Sequence, residues 1–340
     1  MKINFIDLFS GIGGFRLGFE QAAASLSVKA KCVFSSEIDK FARQTYKANF
    51  GEEPAGDFSL IDYSTIPKHS VCLASTSCQP FSQAGKGLKG NDTRNTIPYL
   101  LNYIAVCMPP VLIHENVVEL RNSQEYRQML YALDKLGYTV FDRVYNSISV
   151  TPQNRSRLFT VAFKNFNFAF AFEWPELPEL NLKMRDILEE DVPDKYTLKD
   201  KTWLCLQRKV GEYYRKWKPE LLDAVRESCG LTAETGGGML IPPNIRKSFL
   251  KNGFGYRIAG QDDTGGTLLA RYKKDGAEIL IEQQGKNPRI MTPQECARYM
   301  GFPDSFKISV SDYQSYKQFG NAVVPSVVKE IAKAVIRAVN

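Results

Sequence analysis

The chain has 340 residues, 44% of them hydrophobic and 24% charged, the composition of a soluble globular protein with one large domain or two. No apolar run reaches the roughly 18 residues that a membrane span needs, and the N-terminal "MKINFIDLFSG" is interrupted by Asp7 and glycines, so neither a spanning helix nor a signal peptide is expected. The net charge of +7 is concentrated between positions 195 and 289, where 18 Lys and Arg face 11 Asp and Glu. Charge alone supports two readings equally: a surface that meets a polyanion such as nucleic acid, or a solvated basic face with no partner.

Along the chain, "NFIDLF" (4–9) reads as a buried strand, and a helix follows from about Gly14 to Ala24. "CVFSSE" (32–37) is the next strand and "DKFARQTYKANF" (39–50) the next helix. "VCLAS" (71–75) is a strand that runs into the polar stretch "STSCQPFSQAGKG". "TIPYLLNYIAVC" (96–107) is helical, "VLIHEN" (111–116) is a strand, and "SQEYRQMLYALDKLG" (123–137) has helical periodicity with Gly137 as its stop. "YTVFDRVYN" and "RLFTVAFK" are further strands. Strands alternating with helices imply an α/β fold with a mainly parallel, doubly wound sheet. The alternation fails after about Phe172, where a proline-containing crossing begins. The basic segment 195–289 is glycine-rich and weakly periodic, as expected of a second, smaller, irregular domain containing β-structure. "VPSVVKEIAKAVIRAV" (324–339) is an amphipathic helix with no core of its own, so it is expected to pack back on the first domain.

Seven cysteines are scattered with no CxxC, which argues against a zinc knuckle or a thioredoxin-type pair and fits a reducing compartment. There are two histidines, His69 and His114, a poor supply for Ser-His or Cys-His nucleophile systems.

Chemistry gathers at strand ends. In "FIDLFSGIGGFRLGFE" a strand leads through a glycine-rich turn into a helix, which lets backbone approach a ligand and offers free N–H groups. Glu37 ends the next strand, and Asp57 lies in "GDFS". Acids at successive strand ends point into the crevice where nucleoside ligands bind. The glycine spacing is G-x-G-G-x-x-x-G, which favours a single nucleoside over a dinucleotide. An ordinary structural turn is about as well supported by this motif alone. Cys78 sits in a polar loop at the C-terminal end of a strand, where nucleophiles are placed, and Lys86 or an arginine nearby would favour its thiolate; the alternative is an inert surface thiol. Glu115 in "LIHENVVEL" ends the following strand at the same edge, placed for acid–base work beside a thiol, or else is a plain surface acid. Arg155 and Arg157 in "TPQNRSRLF" lie two apart at a strand start, so alternation puts both on one face, for an anionic ligand or as a salt-bridged structural pair.

Six stretches in one order, "DLFSGIGGFRLGFE", "SCQPFSQAGKG", "ENV", "QNRSR", "RIMTPQECARYMGFP" and "QFGNAVVP", closely resemble the DNA (cytosine-5) methyltransferase family of bacterial restriction-modification type. The resemblance covers nearly all of the chain except about 200–260. It implies a Rossmann-like domain at 1–175 plus 315–340 that binds S-adenosyl-L-methionine, releases S-adenosyl-L-homocysteine and uses no metal. Phe15 would stack on the adenine and the turn at Gly11, Gly13 and Gly14 would approach the methionine portion. Glu37 would hold the ribose and Asp57 the adenine amine, with Ile38, Phe58, Asn321 and Ala322 completing the pocket. Cys78 would attack C6 of a flipped-out cytosine in double-stranded DNA, Glu115 would engage N3 and the exocyclic amine, Arg157 would help hold the base, and Arg155 would support the site. Gln79, Ser82, Lys86 and Arg94 would contact DNA, and residues 176–314, with a variable part at about 200–285, would read a short target sequence. Such a protein would be a monomeric cytoplasmic, nucleoid-associated bacterial enzyme protecting host DNA, with a cognate endonuclease acting separately. The family usually carries proline directly before its cysteine; here Ser77 stands there, and Ser77→Pro is expected to be tolerated. The same motifs occur in relatives that modify tRNA, so RNA is the near rival. A DNA-binding module with an inert site and a nicotinamide oxidoreductase are the readings from other classes.

Overall fold

A computed structural model describes residues 2–77, 95–206, 256–272 and 279–340. Six strands form one sheet: β1 (Lys2–Leu8), β2 (Lys29–Ser36), β3 (Val71–Ser75), β4 (Val111–Asn116), β5 (Thr139–Asn146) and β6 (Ser156–Phe163), in the order β2-β1-β3-β4-β6-β5. The strands β2, β1, β3 and β4 run parallel, and β6 is antiparallel to both β4 and β5. A mainly parallel, doubly wound α/β sheet is therefore present, with one reversed strand that local periodicity did not reveal.

Helices cover both faces because the strands bury alternate residues on opposite sides. Ile3, Phe5, Val71, Leu73, Val111, Ile113, Val161 and Phe163 pack on the side of α1 (Gly14–Ser25). Ile6, Leu8, Cys72, Ala74, Leu112, Leu158 and Ala162 pack on the side of α3 (Ile97–Cys107) and α4 (Gln124–Lys135). The helix α2 (Lys40–Phe50) starts at Asp39, whose carboxylate accepts the amides of Phe41 and Ala42, and stops at Gly51 in the left-handed conformation. In α4 the Ser123 hydroxyl caps Tyr126, and the chain turns through Gly137, at φ 75°, into β5. The short α5 (Phe166–Ala171) follows β6.

The rest of the described chain joins the same core. Helix α6 (Pro293–Tyr299) begins with a capping box, in which Thr292 Oγ1 accepts the Glu295 amide and Glu295 accepts the Thr292 amide. Glu295 also binds the buried Arg289 guanidinium through both carboxylate oxygens, at 2.6 and 2.7 Å. Helix α7 (Asp312–Asn321) leads into α8 (Pro325–Ala338), whose apolar face, Val327, Val328, Ile331, Val335 and Ile336, lies in the cluster with α1. This is the expected return of the C-terminal amphipathic helix. Of the irregular basic segment, the described part includes β7 (Ile258–Ala259) and β8 (Leu280–Ile281), a two-residue parallel pair. No described helix is long and apolar enough to cross a membrane.

Candidate active site

The carboxyl ends of β1, β2, β3 and β4 form one edge, and reversed β6 brings its first residues to that edge as well. At the β1 end, Phe9 and Gly11 take left-handed backbone, both with φ 54°, so the turn doubles back before α1. A Cβ at Gly11 would meet nothing within 4 Å, whereas one at Gly13 would collide with the Phe50 ring and one at Gly14 with the Val323 carbonyl. The glycines thus divide their work. Gly11 leaves backbone open to a ligand; Gly13 and Gly14 let α1 pack closely on α2 and on the chain entering α8.

Glu37 closes this turn from the end of β2. Its Oε2 accepts the Gly11 amide and its Oε1 the Asp39 amide, each at 2.8 Å. Burial raises the pKa of this carboxyl above its ordinary value, against the lowering effect of the amides that bind it. Each oxygen retains acceptor capacity for hydroxyl groups. A bridge from Ser36 to Ala55 extends the edge and brings Asp57 alongside, where its carboxylate accepts Ser59 N at 2.9 Å and Ser59 Oγ at 2.8 Å. Ile38 is 69% exposed and free to cover a flat ligand. Asn321 is exposed at the end of α7, and Ala322 next to it is buried.

Two expected contacts are placed differently. Phe15 is 1% exposed and packs edge-on against Phe159, so its ring belongs to the core beneath the sheet edge and offers no face to the crevice. The part-exposed aromatic at the turn is Phe9, packed edge-on against buried Phe58 at 5.3 Å. Phe58 in turn stacks on Tyr63, so it supports the pocket wall from behind. Both phenylalanines flank the same glycines in sequence. The one signal that separates them is the position of Phe9 at the strand end and of Phe15 one residue inside the helix.

On the next two strands, Ser75 pairs with Glu115 in register. Glu115 is 5% exposed and held at both oxygens: Ser75 Oγ donates to Oε2 at 2.7 Å, and Arg157 Nε lies 3.3 Å from Oε1. Arg157 reaches it because antiparallel β6 starts at this edge; in a parallel β6 it would lie at the far end of the sheet. The two arginines have different partners: Arg157 is paired with Glu115, and Arg155 reaches backbone carbonyls. Arg155 precedes the strand, is buried, and donates to the carbonyls of Leu268, Gly320 and Ala322 at 3.1, 3.3 and 2.9 Å. It fixes the backbone on either side of Asn321 and ties it to the 268 segment, because carbonyl oxygens inside a core need a donor. Cys78, Gln79, Ser82, Lys86 and Arg94 lie outside the described residues.

His114, on the opposite face of β4, is fully buried and its Nε2 lies 2.7 Å from Thr76 Oγ1. Burial pushes its pKa down to about 4 from an ordinary 6.5. The folded protein therefore keeps His114 neutral where the unfolded chain is protonated. Its stability contribution is complete above pH 6.5 and is lost as the pH falls towards 4, for a total of about 3 kcal/mol. In urea unfolding between pH 7 and 4.5, His114→Gln is expected to lose less stability on acidification than the parent by roughly this amount. Equal acid sensitivity of the two would show that His114 is solvated.

Among the described residues, no group of three or more His, Cys, Asp or Glu is placed to hold a metal ion.

The family model for C-5 cytosine-specific DNA methylase matches residues 3–337. The chain is 41% identical to the Type II methyltransferase M.NlaX of Neisseria lactamica, over 99% of this chain and 98% of that one. It is 40% identical to the Type II methyltransferase M1.ScrFI of Lactococcus lactis subsp. cremoris, over 98% of this chain and 78% of that one. Among solved structures, the fold is similar to the Entamoeba histolytica methyltransferase EhMeth, with a TM-score of 0.75 at 19% identity and coverage of 100% and 99%. It also resembles the S. pombe Dnmt2 methyltransferase, with a TM-score of 0.71 at 19% identity and full coverage of both chains. Six ordered motifs, a sheet edge carrying Glu37 and Glu115, and a family match across almost every residue converge on one conclusion: the chain belongs to the C-5 cytosine-specific DNA methylase family and is a DNA (cytosine-5-)-methyltransferase.

Proposed function

We propose that the protein transfers a methyl group from S-adenosyl-L-methionine to C5 of a cytosine flipped out of double-stranded DNA, through a covalent Cys78–C6 intermediate, and that it protects DNA within a restriction-modification system. The observation that carries this reading is Glu115. A buried carboxylate, oriented by Ser75 and Arg157, stands at the sheet edge on the strand beside the one that leads to Cys78.

The crevice residues fit the donor. Gly11 is open on its Cβ side, Glu37 can accept two ribose hydroxyls, Asp57 an amine, and Phe9 and Ile38 offer apolar surface to a purine. Phe9 takes the stacking role that the resemblance gave to Phe15. Asn321 closes the pocket from the end of α7, positioned by Arg155. When bound, S-adenosyl-L-methionine supplies the methyl as an electrophile on a sulfonium sulfur.

The chain's residues make C5 a nucleophile. Glu115 and the bound cytosine hold one proton between them: as the Cys78 thiolate adds to C6, that proton moves onto N3 and neutralises the electron pair displaced through the ring, and it goes back to Glu115 when the ring is restored. Arg157, held to Glu115, presents its remaining N–H groups to the base carbonyl. Once C5 carries the methyl, loss of the C5 proton expels the Cys78 thiolate and restores the aromatic ring. The net change is replacement of one hydrogen by methyl, with one proton released. Because these atoms are hidden in a duplex, the cytosine must leave the stack first. Gln79, Ser82, Lys86 and Arg94 are proposed to contact the DNA, and residues 176–314 to recognise its sequence, with the basic stretch at about 200–285 neutralising phosphates.

Incubation with tritiated S-adenosyl-L-methionine and mixed-sequence DNA, followed by mapping of 5-methylcytosine, tests this. Label is expected in DNA at one short sequence and is expected to vanish in Cys78→Ala. Persistent label in that variant would sink the covalent mechanism, and label confined to tRNA would sink the DNA assignment.

A further inference from the structure

Three consecutive residues lead into Cys78, and each is tied by a side chain from a neighbouring element. Ser75 Oγ donates to Glu115. Thr76 is held twice from β4: its hydroxyl meets His114 Nε2 at 2.7 Å, and Asn116 Nδ2 donates to both its hydroxyl and its carbonyl at 2.9 Å. Thr76, His114 and Asn116 are all buried, so water does not compete for these bonds. Ser77 N–H then donates to Thr96 Oγ1 at 3.0 Å.

Thr96 is the N-cap residue of α3, yet its hydroxyl caps no helix amide. The first helical amide, Ile97, is taken by Asn95 Oδ1 at 3.1 Å instead. Asn95 thus does the work expected of the cap, and the Thr96 hydroxyl goes to Ser77. This bond needs a residue with a backbone N–H at position 77. Proline, which would fix φ by its ring, has no proton to give. The two ways of holding this backbone, a ring or a hydrogen bond to position 96, exclude each other.

We propose that Thr96 is a positioning residue for Cys78, its hydroxyl holding the Ser77 amide in place of the restraint that a proline ring would give, with Thr76 locked by His114 and Asn116 as the fixed point behind it. The inference rests on Cys78 being the nucleophile. Cys78 is bonded directly to Ser77, so a turn of the Ser77 backbone moves the thiol with it. Misplacement of an attacking atom by a fraction of an ångström falls on the chemical step.

The test is a cycle of Thr96→Val, which keeps the shape and loses the acceptor, with Ser77→Pro. In the parent, Thr96→Val is expected to lower kcat about three- to tenfold while KM for DNA, affinity for S-adenosyl-L-homocysteine and the thermal midpoint stay put. Thr96→Ser, which keeps the hydroxyl, is expected to retain the parent rate. Ser77→Pro is expected to remain active, and in that background Thr96→Val should cost nothing more. An unchanged kcat for Thr96→Val in the parent, or the same loss in both backgrounds, overturns the proposal. Cys78→Ala run alongside separates the two levels: methylation without the thiol would refute the nucleophile itself. A Cys78-dependent enzyme indifferent to Thr96 would refute only the positioning role.

Discussion

Glu115→Gln is expected to lower the rate of methyl transfer by about 100- to 10,000-fold, the range that removal of a general acid or base commonly costs, while DNA binding persists. Both carboxylate oxygens of Glu115 have a partner: Oε2 accepts from Ser75 Oγ, and Oε1 is ion-paired with Arg157. A glutamine keeps the shape but has one acceptor oxygen. Arg157 has no acceptor to offer in return, so the amide oxygen must turn towards it. The Ser75 hydroxyl can reverse and accept from the amide nitrogen. The fold therefore tolerates the change, and the amide still offers the base a hydrogen bond. What it cannot do is give up a proton at neutral pH. Without that proton, thiolate addition at C6 leaves charge on the ring, and C5 gains little nucleophilicity. Single-turnover transfer measured beside a gel-shift assay checks this. A rate within about threefold of the parent, well short of that range, would remove Glu115 from the proton transfer.

Arg155→Met is expected to act on stability and on cofactor affinity together. The buried guanidinium donates to three carbonyls on two separate stretches of chain, Leu268 on one side and Gly320 and Ala322 on the other. Methionine fills much of the volume but leaves those carbonyls without this donor. A hydrogen bond from a charged group contributes about 1.5–3 kcal/mol, so the loss of all three should reach about 4.5–9 kcal/mol in urea unfolding. Since two of the three bonds flank Asn321, affinity for S-adenosyl-L-homocysteine should fall about tenfold by calorimetry, equivalent to the loss of one such bond. A destabilised protein with unchanged affinity would show that Arg155 serves packing alone and that Asn321 holds its position without it.

The sequence by itself determined much of this protein. Alternating apolar strands and amphipathic helices located β1 to β6 and α1 to α4 within a few residues, because burial imposes a period that local residues must obey. It also placed Glu37 and Glu115 at the exits of parallel strands. The tertiary structure decided what periodicity does not encode. Strand direction is one such property: an apolar run looks the same either way, and only the pairing of β6 with β4 shows that Arg157 meets Glu115. The fate of paired residues is another. Phe9 and Phe15 flank the same glycines, yet a left-handed turn leaves one at the crevice and the helix carries the other into the core. Arg155 and Arg157 differ by two positions, and distant carbonyls draw one away. The bond from Ser77 to Thr96 joins residues on either side of the 78–94 segment, and no local pattern marks it. Local sequence sets which residues are buried and roughly where the chain turns; which polar groups pair across that distance is fixed only when the strands and helices assemble and each buried donor must find an acceptor.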